Sequence, residues 1–245
     1  METEEEKAFA RLEALNFMPF DSDVFGFPFF RLNKDAGNSL SRDLKILRNL
    51  KLPAFGCDAK ISSNDKISLI QLQKEGFIRI CDQITFEISP ASLTSMTTNK
   101  AVELMKMDEP EISFHADNFK YDRLSLDARI PRASIKRFYT KWIANSFSFP
   151  GKTIYSFQSG LCITHLKQDY LKIDLLSVLK KRKGVASRLI EHTLALSSLK
   201  KNQRVEVTTE SHNKGAIKVY TRNGFQQKTR FSCLHLFHFA QQSSD

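Results

Sequence analysis

A shift of 148 residues lays the chain onto itself, with Gly76-Phe77 falling on Gly224-Phe225 and Asp65 on Asn213. Both halves end in the same order of patterns: an apolar strand-like run, a helical periodicity, Gly-Phe, and a second alternating run. Strand, helix, strand, used twice, specifies an α/β (α+β) chain with helices laid against a sheet. The two copies are not equivalent. Leu72 stands where Tyr220 stands in the second, and nothing in the first half answers to Lys180-Lys181-Arg182-Lys183 with the following Gly184-Val185-Ala186. If one half carries chemistry, it is the second.

Composition agrees with a folded chain. Of 245 residues 41% are hydrophobic and 26% charged, with nine Gly and seven Pro, which excludes global disorder and leaves enough apolar material for a sizeable core. The longest apolar stretch, Val24 to Phe30, is interrupted by Pro28 and falls far short of the ~20 residues that cross a bilayer. The opening Met-Glu-Thr-Glu-Glu-Glu-Lys is acidic where a secretory leader is cationic, so a cytoplasmic protein with no membrane partner is expected. Cys57, Cys81, Cys162 and Cys233 lie far apart, at neither disulfide-framework nor zinc spacing, and read as thiols.

The coarse order of elements follows from periodicity. Thr3 and Glu6 can form a capping box ahead of Phe9, Leu12 and Leu15. Residues 21–32 read as extended and edge-like because of Pro28, and Leu40, Leu44 and Leu47 as a helix. Strand 54–61, helix 64–75 and strand 77–88 come next. The polar run Pro90 to Asn99 sets the expected boundary between a smaller domain, 1–95, and a larger one, 96–245. Pro131 opens an amphipathic helix carrying Ile135, Phe138, Tyr139, Trp142, Ile143 and Phe147. Three strands at 153–157, 161–166 and 170–178 suggest a meander. A helix with Val185, Leu189, Leu196 and Leu199 on one face, a strand at 205–208, a helix at 213–223 and a strand at 231–239 complete the order.

The net charge of +10 favours anionic partners in general, and its densest run lies directly ahead of Gly184 and a helix start. Free backbone N–H groups, the positive end of a helix and a residue without a side chain together make a cradle for a pyrophosphate. The Walker and Gly-x-Gly-x-x-Gly patterns are absent. Taken together, Lys181-x-x-Gly184-x-Ala186 and Asn213-x-x-Ala216-x-x-x-Tyr220-x-x-x-Gly224-Phe225 resemble the signature of the GNAT acyl-CoA-dependent N-acetyltransferases over about residues 100–240. The first motif departs from the family by Lys in place of Gln or Arg, and has Ala at the second Gly position.

The resemblance implies a GNAT fold, a mixed sheet flanked by helices behind a smaller, degenerate N-terminal half, with acetyl-CoA as co-substrate. It implies that Leu176 and Val178 on the strand, and Lys181, Arg182, Lys183, Gly184, Val185, Ala186 and Ser187 in the turn, hold the coenzyme. By the same resemblance Asn213 and Ala216 line its pantetheine arm and Tyr220 faces the thioester sulfur. A phenol with its ordinary pKa near 10 stays protonated at neutral pH and can protonate a departing thiolate. For the base, Asp82, Glu206 and Glu210 are all conceivable and the spacing selects none.

Residues 21–32, Asn118-Phe-Lys-Tyr-Asp122 and the Phe138-Tyr-x-Lys-Trp142 helix are similar to the TDP-fucosamine acetyltransferase branch, which acetylates a 4-amino-4,6-dideoxy sugar linked to a nucleotide. That resemblance implies such a sugar as acceptor, with Phe25, Phe119 and Tyr121 as contacts, and a homodimer is compatible with it. No histidine stands at a metal or triad spacing, so no metal is expected. Three rivals stay open: transfer to a protein amine, transfer to a small amine, or a non-catalytic acyl-CoA or nucleic-acid module. A nucleic-acid partner, which is not expected, would reveal itself by steep salt dependence.

Overall fold

A computed structural model describes residues 3–33, 39–89, 101–199 and 204–240, with side chains in the last of the long helices before residue 204 described as far as Ser197. The proposed boundary run Pro90 to Asn99 and the side chain of Leu199 lie outside these residues. The chain divides into two compact units, residues 1–82 with 231–245, and residues 83–230.

The first unit contains α1 (Glu4–Phe9), β1 (Leu15–Phe17), α2 (Pro19–Phe25), β2 (Phe29–Leu32), α3 (Leu40–Asn49), β3 (Ala54–Ser62), α4 (Lys66–Lys74) and the start of β4 (Ile78–Ile88). Thr3 and Glu6 form the capping box of α1. Leu15 leaves that helix for β1. Residues 21–32 differ from the extended edge read from Pro28. Pro19 opens α2, Gly26 closes it in the left-handed region, and β2 then runs between β1 and β3. Pro28 is tolerated because it precedes the strand, where its missing N–H breaks no ladder bond, and its carbonyl accepts from Gly56 N at 3.0 Å. Phe30, Leu44, Leu47, Phe55 and Leu72 fill this unit's core together with Leu234 and Leu236.

The second unit is ordered β4-β9-β8-β7-β6-β5 across its sheet. Its elements are the rest of β4, β5 (Val102–Glu103), α5 (Glu109–Asp117), α6 (Arg132–Ser146), β6 (Lys152–Phe157), β7 (Gly160–Leu166), β8 (Tyr170–Val178), α7 (Val185–Leu199), β9 (Arg204–Glu210), α8 (Lys214–Arg222) and the start of β10 (Gln226–Phe239). β6, β7 and β8 form the expected antiparallel meander. Pro131 caps α6 rather than opening it. Ile84, Phe86 and Ile88 join Val185, Leu189, Ile190, Leu194, Val205 and Val207 in one apolar cluster. Among the described residues no helix is long and apolar enough to cross a membrane.

The repeat is structural. Asp65 and Asn213 each cap a nine-residue helix by accepting from the backbone N–H three residues on. Gly76 and Gly224 end those helices at φ 97° and 85°, a backbone region open to Gly. In both copies the Phe after the Gly donates its N–H back into the helix, Phe77 to Leu72 and Phe225 to Tyr220. The division of the chain nevertheless differs from 1–95 and 96–245. β4 starts in the first unit and pairs from Gln83 with β9 of the second, and β10 starts in the second and pairs from Phe231 with β3 of the first. Each repeat's closing strand thus completes the other unit's sheet.

Candidate active site

The site begins with a parallel strand pair that stops pairing. β8 and β9 are in register from Tyr170↔Arg204 to Ile173↔Val207, yet β8 continues to Val178 and β9 to Glu210. Over that last stretch β8 remains paired only with β7, out to Gly160↔Val178, among the described residues. Beyond Ile173 the edge of β8 facing β9 thus has no ladder partner among the described residues, forming a wedge in which Asn118 Nδ2 donates to Val178 O at 3.3 Å. A bulge marks where it opens: Ile163 faces Leu175 and Thr164 faces Ile173, leaving Asp174 without an opposite residue. The extra residue reverses the alternation, so that Leu171 and Ile173 before it and Leu176 and Val178 after it all pack on the cluster beneath α7. Lys172, Lys152 and His165 surround the Asp174 carboxylate at 2.9, 3.2 and 3.3 Å. Burial works to raise the Asp174 pKa, but the two lysines outweigh it and hold the carboxyl below its ordinary value.

A basic turn stands at the wedge mouth. Leu179 N and Lys180 N are tied to Ser159 at 2.9 and 3.3 Å, after which Lys181, Arg182 and Lys183 are exposed. Arg182 and Gly184 both have positive φ, 64° and 74°, which coils the turn directly into α7. The first backbone bond of that helix runs from Arg188 N to Gly184 O, leaving the N–H groups of its opening turn without intrahelical partners. A Cβ on Gly184 would meet nothing within 4 Å, so the space in front of these groups is open. Free amides, a helix start and three cations form a donor set suited to a pyrophosphate.

On the other flank, Asn213 Oδ1 accepts from Ala216 N at 3.2 Å, which leaves the Asn213 amide NH2 as a donor. Asn223 Nδ2 donates to Ser187 Oγ at 3.2 Å and ties α8 to α7. Tyr220 is 5% exposed, its ring 5.9 Å from that of Phe86 and 6.0 Å from that of Phe225. Burial pushes its phenol pKa up, with Cys162 and Glu210 adding to the effect, so it is protonated at neutral pH. Five residues singled out from the motifs, Leu176, Val178, Val185, Ala216 and Tyr220, thus share one cluster.

The aromatic residues are placed differently. Phe119 lies stacked on Tyr139, ring centroids 4.1 Å apart, as packing for α6. Tyr121 is 53% exposed beside His212, with Lys181 Nζ 6.0 Å from its ring. Phe25 belongs to the first unit, packed on Phe27 and Phe29. A cavity of about 710 Å³ is lined by Ile84, Phe86, Ile217, Thr221 and Phe225 among others, and neither the basic turn nor Tyr220 lines it.

The three carboxylates that the spacing left equal are distinguished by their surroundings. Asp82, in the first unit, accepts from Arg79 at 2.6 Å and Ser232 at 2.9 Å. Glu206 is ion-paired to Arg204 at 2.9 Å. Glu210 is the last residue of β9, 8% exposed, accepting from Gln83 Nε2 at 3.0 Å, and burial raises its pKa. Sequence reasoning missed His115, 2% exposed, whose Nδ1 lies 2.8 Å from Ser177 Oγ. Burial lowers its pKa to about 4, so it is neutral, and Asn118 Nδ2 donates to the same Ser177 Oγ at 3.0 Å. A signal was present in the sequence: His115 and Asn118 are three apart, one helical face, and Ser177 is a polar residue at an inward strand position. Among the described residues no three His, Cys, Asp or Glu side chains gather as a metal site.

Residues 160–225, spanning β7, β8, α7, β9 and α8, match the acetyltransferase (GNAT) family. No curated protein matches the chain by sequence. Solved structures do resemble it in fold. A GCN5-related N-acetyltransferase from Sphaerobacter thermophilus superimposes with TM-score 0.59 at 11% identity, covering 91% of this chain and 76% of that one. A putative acetyltransferase of the GNAT family from Novosphingobium aromaticivorans gives 0.52 at 12%, over 97% and 93%. A tandem GNAT protein from the clavulanic acid biosynthesis pathway gives 0.52 at 12%, over 85% and 75%. The chain thus has the GNAT fold, and its segment 160–225, in the second unit, is what resembles the acetyltransferase family by sequence.

Proposed function

We propose that the second unit transfers the acetyl group of acetyl-CoA to the primary amine of a nucleotide-linked amino-deoxy sugar, by direct attack of the amine on the thioester. One observation supports the transferase chemistry: the ladder between β8 and β9 ends at Ile173↔Val207 in the same unit that carries a pyrophosphate-suited turn at the start of α7 and a buried phenol on α8. The turn from Arg182 to Ser187 holds the pyrophosphate through its amides and the cations around it. The Asn213 amide and the small Ala216 side chain receive the pantetheine arm. Acetyl-CoA supplies an activated acetyl ester of a thiol. Free N–H groups on the β8 edge hydrogen-bond the carbonyl oxygen as negative charge develops there, and Tyr220 donates its proton to the leaving sulfur.

The sugar acceptor is supported by the residues shared with the amino-sugar branch and by the basic turn, which suits substrates carrying pyrophosphate. The experiment is to mix the protein with acetyl-CoA and the TDP-linked 4-amino-4,6-dideoxygalactose and follow free thiol. Stoichiometric release with an acetylated sugar is expected. Release with other amines only would remove the sugar assignment, and no release with any amine would remove the transferase reading.

A further inference from the structure

We infer that Asn118 is a positioning residue for the proposed transfer: its amide takes the Val178 carbonyl out of the wedge and pins the end of β8, so that this edge meets the acetyl oxygen with N–H groups. This rests on the transferase reading. It gives a task to a residue that the sequence marks only as the start of the run Asn118 to Asp122.

One bond shows which way the edge groups point. Leu179 N donates to Ser159 O at 2.9 Å, so Leu179 turns its peptide groups toward β7. Along a strand the N–H and C=O of one residue point to the same side, and those of the next residue to the other. Ser177 therefore also turns toward β7, while Leu176 and Val178 turn toward β9, in the stretch where the ladder between β8 and β9 has ended. Two N–H donors and two carbonyl oxygens thus face the wedge. A thioester carbonyl that gathers negative charge is stabilised by the donors and repelled by a bare carbonyl oxygen. Asn118 Nδ2 donates to Val178 O at 3.3 Å and so covers the carbonyl at the end of the strand.

The amide is held in place from several directions. Asn118 caps α5, and His115, three residues earlier, lies on the same helical face. The two hydrogens of Nδ2 have two acceptors, Val178 O and Ser177 Oγ, the latter at 3.0 Å. His115 Nδ1 lies 2.8 Å from the same hydroxyl and fixes Ser177, which is buried. Arg132 holds the backbone on either side of Asn118, donating to Asp117 O at 2.9 Å and to Phe119 O at 2.6 Å. Ser177 alternates with Leu176 and Val178, which pack on the cluster beneath α7, so α5 reaches the edge from the opposite sheet face. One side chain thereby steadies the parted end of β8, as the ladder with β9 does further back, without a strand filling the wedge.

The test compares Asn118→Leu, Asn118→Ala and Ser177→Ala with the unaltered full chain. Calorimetry reads acetyl-CoA affinity, and thiol release reads turnover with the TDP-linked 4-amino sugar, glucosamine or spermidine as acceptor. Hydrogen exchange by mass spectrometry reads the peptide covering residues 171–180. Asn118→Leu keeps the bulk and removes both donated bonds. Its kcat at saturating acetyl-CoA should fall about tenfold while Kd stays within about threefold, the split expected of an interaction made in the transition state. Exchange should rise in residues 171–180 and not in β6 or α7, a local change that a general loss of stability does not produce. Asn118→Ala should behave alike, which keeps the test open if the Leu variant does not fold. Ser177→Ala leaves the bond to Val178 O in place, so its kcat should fall less. Unchanged turnover in the Asn118 variants, tighter acetyl-CoA binding by them, or an equal loss in Ser177→Ala would each overturn the assignment and leave the transferase reading standing. Parallel falls in kcat, affinity and Tm would also overturn it, by making Asn118 a structural residue. If the unaltered protein releases no thiol with any amine, the transferase reading falls and the role in transfer with it, whereas hydrogen exchange still reads whether Asn118 pins β8.

Discussion

Tyr220 occupies the position that Leu72 fills in the other copy, with the same backbone bond from the following Phe closing the helix behind it. Packing therefore calls for an apolar side chain there, and the hydroxyl is the surplus to which the proposed mechanism gives the acid role. Tyr220→Phe keeps the contacts with Phe86 and Phe225 and removes only the proton donor, so turnover should fall about 10²-fold with acetyl-CoA affinity unchanged. Stopped-flow rates beside calorimetric binding check this, and an unchanged rate would end the acid assignment.

His115 makes a different prediction, about stability. Its folded pKa is pushed down to about 4, against an ordinary value of 6.5, so as pH falls the unfolded chain binds the proton first. The neutral histidine's contribution is complete above about pH 6.5 and is lost progressively toward pH 4, by about 1–3 kcal/mol. Glu210, with its raised pKa, has the opposite slope, so the readout is a difference. His115→Asn, which keeps a polar partner for Ser177 but cannot titrate, should flatten the fall in Tm with acid relative to the unaltered protein. Parallel curves would refute it.

Among the elements, the turn before α7 and the parting of β8 from β9 form the candidate site. Replacing Lys181, Arg182 and Lys183 together by Ala removes charge but leaves Gly184 and the opening amides in place. The expected result is weaker acetyl-CoA binding by at least about 1.4 kcal/mol, tenfold in Kd, at low salt. The deficit should shrink in high salt because exposed charges are screened, and kcat at saturation should hardly change. A fall in kcat alone would mean that the turn acts on chemistry rather than grip. This turn was legible in the sequence because the charges, the Gly and the helix onset are contiguous. The wedge was not, since it depends on where β8 and β9, whose paired residues are 34 apart along the chain, cease to pair. His115, Ser177 and Gln83 escaped notice for the same reason: each meets its partner, Ser177 for His115 and Glu210 for Gln83, only when distant segments come together.

For the molecule as a whole, the repeat fixes where each unit ends. A fragment cut at residue 96 loses Ile84, Phe86 and Ile88, each at most 6% exposed and part of the cluster holding Tyr220. Burial of such side chains stabilises by about 1.5–3 kcal/mol each, against a domain stability of about 5–15 kcal/mol. We therefore expect residues 83–230 to melt cooperatively by circular dichroism and residues 96–245 not to. The opposite result would show that the closing strands do not belong to the units with which they pair.

The residue order alone determined what is local: the paired strand–helix–Gly-Phe–strand units, their caps and stops, the basic turn, and the phenol set on its helix, because each depends on neighbours within a few residues or one helical turn. The exchange of closing strands, the bulge at Asp174, the opening of β8 from β9 and the different partners of Asp82, Glu206 and Glu210 were decided by tertiary structure. Which strand pairs with which, and which carboxylate is shielded from water, are properties of segments that come together only when the sheet forms.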